Sequence, residues 1–308
     1  MPLTKALAWI GRACGVHRTG GTPLIQPYPG YATPDSVVAR GRVLGRPVNH
    51  NKVLASFRTR KMAGVPVAAP ASDTLTDSEG YFTLSLPRPT QTGWIDVPVM
   101  AAGHETKLPV LVPRADARFG IISDIDDTVM LTKAWSLPLN LWTTLRGRPH
   151  TRHVFPDAVE LLDLLGQGGR NPVYYVSSGP WNLLPFLEEV FWLNGLPRGP
   201  MFLRDWGLRP AQPLAVPAPV HKGQAIDTVL AANPALDFML IGDTGQHDAE
   251  IYLDAARRHP GRIRAVVLRR AGRKLPEVEA AYEALGIPLH IVGAFSALPN
   301  RQDFALGI

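Results

Sequence analysis

From residue 119 to residue 292 the chain alternates short apolar runs with longer stretches of helical periodicity, and that alternation leaves room for few folds. The runs are "FGIISD" (119–124), "PVYYVS" (172–177), "PMFLRD" (200–205), "DFMLIGD" (237–243), "IRAVVLRR" (263–270) and "PLHIV" (288–292). Between them, "WNLLPFLEEVFWLNG" sets Leu183, Phe186, Leu187, Val190 and Phe191 along one helical face, which reads as a core stripe. Strands alternating with helices predict an α/β domain over residues 115–308, a Rossmann-like parallel sheet with helices on both faces.

Ahead of Pro113 the rhythm has period two. In "YFTLSL" Phe82, Leu84 and Leu86 fall on one side and Tyr81, Thr83 and Ser85 on the other, and "GWIDVPVMA" repeats this with Ile95, Val97 and Val99. Pro98 places that second strand at an edge. "SVVARGRVLG" and "GVPVAA" add strands, and "TDSEG" reads as a turn ending on Gly80 rather than as a Ca2+ loop. Residues 36–114 are thus expected to form a small antiparallel β-sandwich, preceded over 1–35 by an irregular or short helical segment.

The 308 residues suffice for two domains. A formal charge of +6 favours anionic partners without choosing among phosphorylated metabolites, nucleic acid and acidic lipid surfaces, and no specific nucleic-acid motif is present. With Cys14 as the single cysteine, intramolecular disulfides and multi-cysteine zinc sites are excluded, which fits a reducing cytoplasm. The opening "MPLTKALAWIGRACG" is too short in its apolar part for a signal peptide, and no run reaches 18 consecutive apolar residues. Membrane contact is therefore expected to be peripheral, at the inner surface.

Ligand sites of open α/β sheets lie at the carboxyl ends of the strands. The first run ends on Asp124, the second on Ser177 and the fourth on Asp243, while His221 and Lys222 precede the helix leading into the fourth. Residues i and i+2 of an extended segment share a face, so Asp124 and Asp126 point into one site and Asp127 elsewhere. Adjacent carboxylates repel unless one is protonated or a cation lies between them, and an oxygen-lined Mg2+ site resolves the conflict. Asp124 is then placed to attack phosphorus, Asp126 to donate to the leaving oxygen and later deprotonate water, and Ser177 and Lys222 to bind the phosphoryl oxygens. A carboxylate site needs no imidazole, so His221 and His247 read as structural.

In order and context, "DIDDT", "YYVSSG", "HKG" and "GDTGQHD" resemble the haloacid dehalogenase (HAD) superfamily of phosphatases. The resemblance implies Asp124 as nucleophile and Asp126 as acid/base whose backbone carbonyl also contacts the metal. It further implies Thr128, Ser177 or Ser178, and Lys222 as phosphate binders, Asp243 as metal ligand and Asp248 as one acting through a metal-bound water. "SDIDDT", "SSGPWNL", "GPMFLRDWG" and "GDTGQHDAEIY", with the leader ending in "TDSEGYF", look like the bacterial branch of the actin-patch-protein phosphatidate phosphatases. That implies Mg2+-dependent conversion of phosphatidate to diacylglycerol. Gly179 departs from the family, where another serine is common, and leaves Ser177 and Ser178 as alternatives.

The segment "LTKAWSLPLNLWTTLRGRPHTRH" (131–153) is short, so only a minimal cap covers the site and a bulky or interfacial substrate has access. It joins Trp135 and Trp142 to Arg146 and Arg148, and with Trp181 these are candidate substrate contacts at an anionic membrane surface. The plainer reading has the same aromatic residues closing the core beside the mouth. "LRRAGRK" (268–274) reads as a solvated basic surface. Two other functions stay open: a HAD phosphatase for soluble phosphomonoesters or nucleic-acid ends, and a non-catalytic adaptor.

Overall fold

The computed structural model describes residues 23–45, 61–132, 153–204, 217–273 and 275–302. The chain divides into two compact units, Met1–Val112 and Pro113–Ile308.

The first unit is built from β1 (Pro23–Ala32), β2 (Ser36–Gly45), β3 (Pro66–Ala69), β4 (Ser72–Leu75), β5 (Tyr81–Pro87), β6 (Gly93–Ala101) and β7 (His104–Val112). They form a single mixed sheet in the order β4-β3-β6-β7-β1-β2-β5, whose end strands β4 and β5 touch, so the sheet is nearly barrel-like. This replaces the expected two-sheet sandwich: β1 joins β7 in parallel and links the two antiparallel halves into one sheet. Inward residues alternate as the sequence implied, with Val43, Val67, Phe82, Leu84, Val99, Leu108 and Val110 in one core.

Strand β1 also corrects the expected irregular leader over 1–35. Its prolines suggested a loop, because proline cannot donate to a ladder. The strand tolerates them by geometry. Its pairing with β7 is confined to Gly30 and Tyr31, beyond Pro23 and Pro27, while Pro29 falls in the bulge between Tyr28 and Tyr31. Gly30 is needed there, since a Cβ would come within 2.1 Å of the Val38 carbonyl oxygen. Pro98 follows the same logic: β6 is an interior strand, yet β3 pairs with it only at Met100 and Ala101, leaving Pro98 locally at an edge.

The second unit contains β8 (Gly120–Asp124), α1 (Pro156–Gly166), β9 (Val173–Pro180), α2 (Leu184–Leu193), β10 (Met201–Arg204), α3 (Ala218–Ala232), β11 (Phe238–Asp243), α4 (Asp248–Arg258), β12 (Ile263–Arg269), α5 (Pro276–Ala284) and β13 (Leu289–Val292). All pairings are parallel, in the order β10-β9-β8-β11-β12-β13. Counted within this sheet the order is 3-2-1-4-5-6, the doubly wound arrangement, and right-handed crossovers assign α1 and α2 to one face and α3, α4 and α5 to the other. Helix α1 shows how the faces are set: Ala158, Leu161, Leu162 and Leu165 recur at i, i+3, i+4 and i+7 and are buried. It stops at Gln167, which turns left-handed ahead of two glycines. The strand order reverses between β8 and β11, so the crevice for a ligand opens at their carboxyl ends.

Candidate active site

Asp124 and Asp243 end the two strands that flank this crevice, and both are fully buried. After Asp124 the chain turns tightly. Ile125 goes into the core, Asp126 faces the crevice, and Asp127 takes a left-handed backbone (φ 58°), which aspartate tolerates better than most residues. Asp127 closes the turn: its N–H donates to the Met130 carbonyl (2.8 Å), and its Oδ1 accepts from the Thr132 N–H (2.8 Å). Asp126 and Asp127 thus diverge across a turn and not along an extended segment, with Asp127 as the residue that shapes the loop.

Lys222, near the start of α3, lies 2.6 Å from Asp124 Oδ1 and 2.6 Å from Asp248 Oδ1. Asp248, the first residue of α4, turns Oδ2 to the Asp243 N–H (3.2 Å). Gly242 makes this approach possible, because a Cβ there would lie 2.6 Å from that same Oδ2. Asp243 Oδ1 accepts from the N–H groups of Gly245 (2.5 Å) and Gln246 (2.9 Å). Ligand atoms of Asp124, Asp243 and Asp248 lie within 4.8 Å of one another.

One ammonium thus faces three buried carboxylates. Burial and the Asp248, Asp126 and Asp243 charges, opposed by Lys222, push the Asp124 carboxyl well above its usual range. Asp243 is raised to about 7 by burial and by Asp248. Lys222 moves the other way from what burial alone would do: Asp124 and Asp248 outweigh desolvation and hold it cationic. Among the described residues, the Asp124 carboxylate has no partner besides the Lys222 ammonium, and Asp243 Oδ2 is likewise buried without one. Unpartnered carboxylate oxygens around a charge deficit fit a hard, oxygen-seeking cation such as Mg2+. His247 is exposed, in keeping with an all-oxygen donor set.

A carboxyl group held above its unfolded pKa binds extra protons in the folded state, so it costs stability as pH rises from the unfolded value toward the folded one. In chelator, Asp243→Asn is therefore expected to gain several degrees in Tm over the parent between pH 4 and pH 7, with no further gain above. A difference that stays flat across this window in thermal melts would show that Asp243 is ionised throughout.

Asp126 Oδ2 accepts from the Ser177 hydroxyl (2.7 Å), and Ser177 Oγ accepts from the Gly179 N–H (2.9 Å). This puts Ser177 beside the acid, while Ser178 is only half-buried. A small apolar cavity formed by Ile125, Met130, Leu183, Phe186 and Leu187 adjoins Asp126 and Ser177. Burial accordingly raises the Asp126 carboxyl, against the Ser177 hydrogen bond and the Lys222 charge. The backbone carbonyl of Asp126 accepts from Gln246 Nε2 (3.3 Å). Thr128 is fully buried, and among the described residues its hydroxyl has no hydrogen-bond partner. Trp181 is half-buried at the head of a short 3-10 turn, Trp181–Leu183. Trp135, Trp142, Arg146 and Arg148 lie outside the described residues.

Three participants escape a reading of the sequence. Gln246 bridges the Asp243 loop to the Asp126 turn, and Gly242 admits Asp248. Both stand inside "GDTGQHD", but only the three-dimensional approach shows their use. Arg269 corrects the reading of "LRRAGRK" as solvated: it is buried, and it pairs with Asp157 (2.9 Å). A signal was available, since Arg269 shares the strand face of Val267 and Ala265.

Residues 119–270 match the family described as phosphatidate phosphatase APP1, catalytic domain. Phosphatidate phosphatase APP1 of Saccharomyces cerevisiae is 26% identical over 159 residues, which are 52% of this chain and 27% of that protein. An uncharacterized protein of Schizosaccharomyces pombe is 29% identical over 150 residues, 48% of this chain and 24% of that one. The chain thus spans about a quarter of the length of these curated relatives. Among solved structures, a carbohydrate acetylesterase from Xanthomonas citri aligns with 92% of this chain and 73% of its own, at 12% identity and a TM-score of 0.33.

Proposed function

We propose, from a chain whose residues 119–270 belong to the catalytic-domain family of phosphatidate phosphatase APP1, that this protein is a Mg2+-dependent phosphatase of HAD type. Its substrate is phosphatidate, hydrolysed to diacylglycerol and phosphate through an aspartyl-phosphate on Asp124. The observation that carries this reading is the convergence of Asp124, Asp126, Ser177, Lys222, Asp243 and Asp248 at one sheet edge, inside the matched segment.

Asp124 and Asp243, each with an oxygen lacking a hydrogen-bond partner, would hold the ion directly, and Asp248, both of whose oxygens are engaged, would orient the set. When bound, the cation supplies the positive charge that keeps Asp124 ionised and offsets the charge of the phosphate. In the first step Asp124 attacks phosphorus, the bond from phosphorus to the glyceryl oxygen breaks, and that oxygen takes the proton of Asp126. The buried setting that raises the Asp126 carboxyl suits a group that must arrive protonated. In the second step water attacks phosphorus and loses a proton to Asp126, the bond to Asp124 breaks, and phosphate leaves. Ser177 would orient Asp126, and the Lys222 ammonium and Thr128 hydroxyl would bind phosphoryl oxygens, a reading supported by the Ser177–Asp126 hydrogen bond and the Lys222–Asp124 pair.

A lipid substrate is supported by the short span between β8 and α1, with its aromatic and basic residues, and by Leu131 at its start, a large apolar side chain 40% exposed. Among the described residues no helix is long and apolar enough to cross a membrane. On the basic and aromatic residues of that span we place the enzyme peripherally on an anionic inner-membrane surface, approached from the cytoplasm. The test is phosphate release with Mg2+ from phosphatidate in mixed micelles, beside lysophosphatidate, glycerol phosphate, nucleotides and a 5′-phosphorylated oligonucleotide. Selective release from phosphatidate, abolished by chelator, is the expected result. Faster turnover of a soluble phosphate would keep the chemistry and sink the lipid assignment, and inactivity on every substrate would sink both.

A further inference from the structure

Arg269, the last residue of β12, is 7% exposed and packed on every side. Its Nη1 and Nη2 donate to the two oxygens of Asp157 (3.1 and 2.9 Å), and its Nε to the Thr128 carbonyl (3.3 Å). The guanidinium carbon lies 4.1 Å from the ring centre of Phe155 and 4.2 Å from that of Phe295. Asp157, in the first turn of α1, also accepts from the Phe295 N–H (2.5 Å). The residues gripped flank the acid. Thr128 is the middle residue of the turn at 127–129, which Asp126 and Met130 bracket as a bridged pair. The chain that leaves at 129–131 returns at 153–155 through hydrogen bonds from Leu131 N–H to the His153 carbonyl and from Phe155 N–H to the Val129 carbonyl, both 2.9 Å.

A buried ion pair seldom stabilises more than an apolar pair of the same volume would, so what a bidentate guanidinium–carboxylate contributes here is geometry. We infer that the Arg269–Asp157 pair is a positioning clamp: it fixes the Asp126 turn and the base of the 131–153 segment, and so sets the aim of the proton donor at the leaving oxygen. Asp157 supports an ionised pair, because the Arg269 contacts and the Phe295 and Ala158 N–H groups hold its carboxyl below the usual range in spite of burial. The inference rests on the phosphatase reading above and extends it to residues that do not touch substrate.

Proton donation matters most for poor leaving groups, so the test compares glycerol phosphate and micellar phosphatidate with p-nitrophenyl phosphate, whose leaving group departs without an acid. In Arg269→Lys and Asp157→Asn, kcat/KM for the alkyl ester that the parent hydrolyses should fall about 10-fold or more and for the aryl ester less than about 3-fold, the pattern of Asp126→Asn on a smaller scale. The double variant should be no worse than the poorer single one, because both remove one contact. In parallel, hydrogen exchange at the Leu131 and Phe155 amides should quicken in both variants. Equal loss on both ester classes, or unchanged rates, would overturn the clamp as a device for aiming the acid. Unchanged exchange at Leu131 and Phe155 would overturn it even if the parent proved inactive on every ester, a result that would separately remove the phosphatase reading.

Discussion

Asp124→Asn is expected to reduce phosphate release by at least about 10³-fold and, in metal-free buffer, to raise rather than lower the melting temperature. The first effect follows from chemistry, since an amide of the same shape cannot form the acyl phosphate. The second comes from weighing opposed charges. Asp124 loses its contact with Lys222 when neutralised, but Lys222 keeps Asp248, and the repulsion from Asp248, Asp126 and Asp243 disappears along with the cost of burying an anion. Because the carboxyl is held well above its usual range, the neutral form is the one the fold prefers. Saturating Mg2+ should narrow or reverse the difference, as an ion that binds the folded parent adds RT ln(1 + [L]/Kd) to it alone. Melts with and without Mg2+ decide: a lower melting temperature for the variant in chelator would mean that the Lys222 pair outweighs the like charges.

Much of this site is legible along the chain because its acids stand at strand ends, and strand ends are marked where an apolar run meets a polar residue. Asp124 and Asp243 are found this way. Ser177 is found as the first polar residue after an apolar run, although β9 itself continues to Pro180. Lys222 needed more, because its partners are 98 and 26 residues away, and helix periodicity carries no information about which strand a helix N-terminus will face. The parallel order of the second unit was foreseeable from alternation. The joining of β1 to β7 was not, since it rests on where three prolines fall relative to two short pairings. Arg269 was misread for a related reason. Charge density along "LRRAGRK" describes solvation only when both faces of the strand are wet, and here one face is packed under Phe155 and Phe295.

Lys222→Met should have the opposite sign from Asp124→Asn in stability. Removing the ammonium strands Asp124 and Asp248 with no cation between them, and breaking a buried pair from one side costs about 3–5 kcal/mol. For a unit of this size that is roughly 6–20 °C in Tm. Methionine fills nearly the same volume, so the loss reports charge rather than a cavity. The size of the loss should depend on pH. As pH falls, Asp124 and Asp243, both raised above their usual range, take up protons and the negative charge of the cluster shrinks, so the deficit should be larger at pH 8 than at pH 5. Adding Asp124→Asn to Lys222→Met should restore part of the stability at pH 8 and none of the activity. A deficit equal at the two pH values, or a double variant no more stable than Lys222→Met alone, would mean that Lys222 contributes by packing and that the carboxylate cluster is neutralised from another side.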